Sequence, residues 1–116
     1  MPLATGDEAH ASLQVISREI ASELNEARVA LEAFSERPDD RAALHRFAAH
    51  IHLARGALRL AEVYGGALLA EEMEFVARYV DAHSGEGRAD SDGLEALMRA
   101  MEQLPSYVER VASGAR

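Results

Sequence analysis

From residue 13 to residue 34 the apolar side chains Leu13, Ile16, Ile20, Leu24, Ala27, Leu31 and Phe34 recur at intervals of 3-4-4-3-4-3. That spacing lays one apolar stripe along an α-helix and is incompatible with a strand, whose side chains alternate between faces. Arg37-Pro38-Asp39-Asp40 ends this segment: proline cannot continue a helix, and Asp39 or Asp40 is placed to cap the next one. A second helix carries Leu44, Phe47, Ile51, Ala54, Leu58 and Ala61 at 3-4-3-4-3. Tyr64-Gly65-Gly66 is expected to break or bend the chain. A third helix follows, with Leu69, Met73, Val76 and Val80 inward, ending near His83. The stretch from Ser84 to Gly93 reads as a polar loop, with Ser91 or Asp92 capping a fourth helix that bears Leu94, Leu97, Met98, Met101 and Leu104. Pro105 must kink that helix or open a fresh turn, and Tyr107, Val108 and Val111 continue its apolar face. Tyr64 and Tyr107 are expected to pack with their hydroxyls at the rim, and Met73, Met98 and Met101 to fill the core. No internal repeat is visible. Four amphipathic helices on mostly short connections predict an all-α, antiparallel up-down four-helix bundle, one domain over the 116 residues.

Composition narrows the function classes. Twelve Lys and Arg against twenty Asp and Glu leave a net charge of −8. That balance disfavours nucleic acid or an anionic membrane as the main partner. The absence of Cys and Trp excludes disulfides, thiol catalysis, zinc–thiolate sites and most base-stacking platforms. No apolar run approaches about 18 residues, so no membrane insertion is expected. Met1-Pro2-Leu3-Ala4 lacks the basic and long apolar regions of a signal peptide, and a cytoplasmic location is expected.

The five histidines are the place to look for chemistry. His45, His50 and His52 fall on the second helix, His10 and His83 elsewhere. A helical metal pair needs ligands three or four positions apart. His45 and His52 are two turns apart, roughly 10 Å along the axis. His50 and His52 point away from each other, and HExxH is missing, so no metal or other cofactor is expected to bind. No GxSxG, GxxxxGK[ST] or GxGxxG occurs, which leaves no sign of a stand-alone enzyme pocket.

The second helix has another face. His45, His52, Arg55, Gly56 and Arg59 gather away from its buried stripe. A mid-helix glycine costs about 1 kcal/mol relative to alanine. Close approach of another surface at Gly56, from a partner or from a packed helix, would offset that cost. An imidazole nitrogen accepts a phosphoryl group when neutral, and its unperturbed pKa near 6.5 keeps it mostly neutral at pH 7. A cation three positions on can offset phosphate charge.

His52-Leu53-Ala54-Arg55-Gly56 resembles the H-x-x-[KR]-G core of histidine phosphotransfer (HPt) domains, four-helix bundles that shuttle a phosphoryl group between a histidine kinase and the aspartate of receiver domains. The stretch from Phe47 to Glu74, including Gly56-Ala57-Leu58 and Tyr64 to Glu74, resembles the N-terminal HPt-like domain of chemotaxis-type hybrid kinases that control type IV pili, and the related FimL-like scaffold proteins. Leu104-Pro105-Ser106-Tyr107-Val108 is similar to the late segment of that domain. The resemblance implies that His52 is the phospho-acceptor in a two-component phosphorelay, with Arg55, Gly56, Ala57 and Arg59 supporting phosphate or docking. Its implied partners are a kinase catalytic domain and a response-regulator receiver domain, which would bring the ATP and Mg²⁺. Two departures stand out. Arg59 occupies the position where such domains keep a small residue for receiver packing. Glu62 stands where a glycine ordinarily closes the helix, which implies an extra turn before Gly65-Gly66. The alternative is a non-phosphorylated docking module in twitching-motility signalling, with a scaffold or polar-localisation protein as partner; dimerisation through the bundle is a third reading.

Overall fold

The structure, a computed structural model, describes residues 6–83 and 87–114, and their side chains apart from those of 6–13, 88 and 89. Four helices follow in order: α1 (Gly6–Glu36), α2 (Arg41–Leu60), α3 (Tyr64–Ala82) and α4 (Gly87–Ala112). Each helix packs side by side with two others, α1 with α2 and α4, and α3 with α2 and α4, the diagonal pairs keeping their backbones apart among the described residues. Joined by short links, they form an antiparallel four-helix bundle, 56 Å long and 25 × 20 Å across.

Local chemistry sets the boundaries. Pro38 disfavours helical geometry at Arg37 and ends α1. The Asp40 carboxylate then accepts the backbone N–H of Ala43 at 3.2 Å, so Asp40 and not Asp39 caps α2. The other end of α2 departs from expectation. The helix stops at Leu60, with no extra turn, because Glu62 itself takes the left-handed conformation at φ 61°. The Val63 N–H then donates to Leu58 O (2.8 Å) and the Glu62 N–H to Arg59 O (3.0 Å). This is the Schellman arrangement, made here by glutamate in the place that glycine usually fills. Gly65 and Gly66 do not break the chain; they lie in the first turn of α3. Both are there for closeness. A β-carbon at Gly65 would sit 2.8 Å from the Tyr107 hydroxyl, and one at Gly66 3.3 Å from a methyl of Leu58.

The other boundary that differs is α4. It begins at Gly87, so Ser91 and Asp92 lie within the helix and not at its N-cap, while Ser84 to Glu86 fall outside the described residues. Gly93 lies inside this helix and serves close packing rather than a break. It is buried, and a β-carbon there would run into the Val80 side chain, so α4 lies directly against α3 at this point. Pro105 neither ends α4 nor starts a new helix; the helix runs through it.

One core joins all four helices, with Ile20, Phe34, Leu44, Phe47, Ile51, Leu58, Met73, Val80, Leu97 and Leu104 fully buried. It contains the apolar stripes of α1 and α2 as spaced, with Leu13 outside the described side chains and Ile16 and Ala61 only half-buried. On α3 the inward face is turned slightly, so Gly66, Ala67, Ala70 and Ala77 are buried while Leu69 and Val76 are half-buried. Met98 and Tyr64 are exposed, unlike Met73, Met101 and Tyr107, because their positions fall on the outer faces of α4 and α3. No helix among the described residues is long and apolar enough to cross a membrane.

The turn at Glu62 gives a direct test. A non-glycine residue in the left-handed region is strained by about 1–2 kcal/mol. Glu62→Gly is expected to raise the unfolding free energy by about 1 kcal/mol in urea titrations, against the usual destabilising effect of introducing glycine.

Candidate functional site

The site lies on the seam between α2 and α3. These helices are joined by the tight turn at Val63 and run antiparallel, so positions equidistant from Val63 face each other. His52 and Glu74 are each eleven residues from it, and His45 and Asp81 each eighteen. Small residues on the facing sides, Ala54, Gly66, Ala67, Ala70 and Ala77, are all buried and hold the helices close. The flanking carboxylates therefore reach across.

Glu74 bridges two groups of α2. Its Oε1 is 3.0 Å from His52 Nδ1, and its Oε2 accepts from Arg55 Nη1 at 2.9 Å. A carboxylate only accepts hydrogen bonds, so Nδ1 carries the proton. In the neutral ring Nε2 then holds the lone pair, on the end of the ring farther from the backbone. The environment is asymmetric: the His52 side chain is 64% exposed, whereas Glu74 is 13% and Arg55 25% exposed. A fixed carboxylate and guanidinium thus orient an imidazole that meets solvent. This tautomer and setting suit a nucleophile, with the carboxylate placed to balance the imidazolium formed when Nε2 gains a substituent.

Gly56, one turn beyond His52, is exposed, and a β-carbon there would meet nothing within 4 Å. Tight packing inside the bundle therefore does not account for it. Arg59 is also exposed, two turns from His52 on the same side of α2. Ala57 does not join this face; it is half-buried and packs against the core. Leu53 (55% exposed) and Leu60 (80% exposed) run with Gly56 at helical spacing, an apolar row beside the histidine row.

The remaining histidines have partners of their own. His50 turns to the other side of α2, where its Nδ1 is 2.7 Å from Glu23 Oε2 of α1. His83 Nδ1 donates to Tyr79 O at 2.8 Å, and its ring stacks on Tyr79. His45 Nε2 is 3.0 Å from Asp81 Oδ2. The His10 side chain lies outside those described. Among the described residues no three His, Asp or Glu side chains cluster so as to hold a metal ion.

Glu74 and Asp81 are the functional candidates that inspection of single helices misses, since both act across the seam. Their signal was the hairpin register about Val63. Comparison of the chain with protein-family models, curated proteins and solved structures gives no match.

The Asp81 carboxyl is held below the ordinary carboxylate range chiefly by its hydrogen bond to His45; desolvation, the second-largest effect, opposes this, and the charges of His45 and Arg41 add to the lowering. A depressed folded-state pKa adds stability that is full above the unfolded value and lost as pH falls through the folded one. The stability difference between wild type and Asp81→Asn is therefore expected to hold between about pH 6 and 5 and to shrink from about pH 4 downward. Urea melts across that range read it.

Proposed function

We propose that the chain is a histidine phosphotransfer module in which His52 Nε2 accepts a phosphoryl group from a kinase or a phospho-aspartyl receiver and passes it on. The observation that carries this reading is the 3.0 Å contact between His52 Nδ1 and Glu74 Oε1 on an exposed ring: a carboxylate acceptor draws the proton to Nδ1 and leaves Nε2 as the free nitrogen. In the transfer, the Nε2 lone pair forms a bond to phosphorus as the P–O bond to the donor breaks, and the electron pair departs with the donor oxygen. The product imidazolium keeps its Nδ1–H on Glu74, whose negative charge offsets it. Arg55 holds Glu74 from the other side and adds positive charge next to the phosphoryl group. ATP and Mg²⁺ belong to the partner.

Gly56 and the apolar row Leu53–Leu60 support docking at the same place. The absence of a side chain at Gly56 lets another protein surface come close to Nε2, and the two leucines supply apolar area for it. Arg59, where a smaller residue would leave more room, favours a second reading in which the same face docks a scaffold without transfer.

The deciding experiment incubates the protein with a histidine kinase catalytic domain and labelled ATP, and separately with phosphorylated receiver domains. Wild type is expected to gain an acid-labile, base-stable label. His52→Gln loses it while retaining its helical circular dichroism, and Glu74→Ala slows it by about tenfold or more. Unlabelled wild type, beside a control HPt domain that takes label from the same donors, would establish the scaffold reading instead.

Gly56→Leu separates stability from docking. Leucine has the higher helix propensity by about 0.8 kcal/mol and meets no neighbour, so the melting temperature is expected to rise. Receiver binding by calorimetry is expected to weaken by at least about tenfold, through bulk placed at the centre of the contact.

A further inference from the structure

The seam holds its imidazole–carboxylate–guanidinium arrangement twice. Seven residues before His52, His45 is equally exposed at 64% and bonds Asp81, seven residues after Glu74, at 3.0 Å. Arg41 completes the set, with Nε 3.5 Å from Asp81 Oδ1. Two differences matter. The first is which ring nitrogen is held: Nδ1 in His52, but Nε2 in His45. A carboxylate acceptor puts the proton of neutral His45 on Nε2 and leaves the lone pair on Nδ1. The second is the guanidinium. Arg41 is 22% exposed, lies over the Phe34 ring, and donates to Pro38 O (3.1 Å) and Val80 O (2.8 Å). It is anchored to backbone carbonyls and cannot swing toward a ligand; to the Asp81 carboxylate it offers charge at 3.5 Å without a hydrogen bond from Nε, and Asp81 is 41% exposed where Glu74 is 13%.

We infer that His45 is a second phosphoryl-acceptor histidine, taking the group on Nδ1 from donors of the acyl-phosphate or phosphoramidate class. The Nδ1 lone pair forms the N–P bond. The bond from phosphorus to the donor's carboxylate oxygen, or to the amide nitrogen of phosphoramidate, breaks, and its electron pair leaves with the carboxylate or with ammonia, which takes a proton from water. The Nε2 proton stays on its hydrogen bond to Asp81, so the product is a phosphoimidazolium whose positive charge faces that carboxylate. The second site rests on the reading of His52 for its donor class, but its geometry is its own. With it, one seam would carry two phosphoryl groups about 10 Å apart along α2, one on each type of ring nitrogen.

Phosphoramidate tests this without a partner protein. Two-dimensional ¹H–¹⁵N and ³¹P spectra of the treated protein report which nitrogen of which histidine is substituted. Wild type is expected to show Nε2-phosphohistidine that disappears in His52→Gln, and Nδ1-phosphohistidine that disappears in His45→Gln. Asp81→Asn is expected to slow labelling of His45 by at least about tenfold and to leave His52 unchanged, with Asp81→Glu restoring part of the rate. Circular dichroism confirms that each variant is folded. Label on His52 alone would overturn the second site and leave the first standing. Equal His45 labelling in wild type and Asp81→Asn would also overturn it, since an ordinary exposed imidazole behaves that way. Label on His45 alone would support it and overturn the reading of His52; label on neither would overturn both.

Discussion

The close approach of α2 and α3 governs what this bundle can do. Alanine and glycine occupy most of the buried positions of α3, with Met73 and Val80 the larger exceptions. Small side chains let two helix backbones come together, and at that separation a glutamate or aspartate on one helix reaches an imidazole on the other. Larger residues in the same layer would push the helices apart and leave Glu74 short of both His52 and Arg55. The polar seam is thus a consequence of how the apolar layer beneath it is packed.

That layering also keeps chemistry and stability apart. Among the described residues every buried side chain of the core is apolar, and no polar or charged residue is fully buried. The ion pairs of the seam are partly exposed, where individual contributions to stability are small. Changes to His52, Glu74 or His45 therefore act on the site while the core holds the fold. Arg41 is the exception, because its bonds to the last carbonyls of α3 neutralise the negative end of that helix as well as placing a positive charge beside Asp81.

The helices and most of the core were legible from apolar spacing, because period and burial are the same information on an amphipathic helix. Cap and turn positions were less so. Glycine pairs normally mark breaks, but Gly65-Gly66 and Gly93 serve close packing inside helices, and the left-handed turn fell to Glu62. A glutamate in that conformation has no sequence signal, since propensity places it in helices. On the site, His52, Arg55 and Gly56 were visible as neighbours on one helix. Glu74 became visible only through the hairpin register, which depends on where the turn falls. With the extra turn expected from Gly65-Gly66, the pivot would have shifted and paired His52 with a different residue.

Two energetic costs sit at opposite ends of the same half of α2, and they differ in kind. The strain at Glu62 is local to the Schellman turn, which makes the same backbone bonds with glycine, and nothing around it requires the glutamate side chain. The cost at Gly56 is the loss of helix propensity, and within the bundle nothing offsets it, since the space above it is empty. A cost without an internal return is understandable when the return lies outside the molecule. The empty space is one turn from an oriented imidazole and flanked by exposed Leu53 and Leu60, which is where the proposed partner would come close to Nε2. On this view Gly56 and Glu74 are complementary: one gives a partner access to the ring, and the other sets which nitrogen the partner meets.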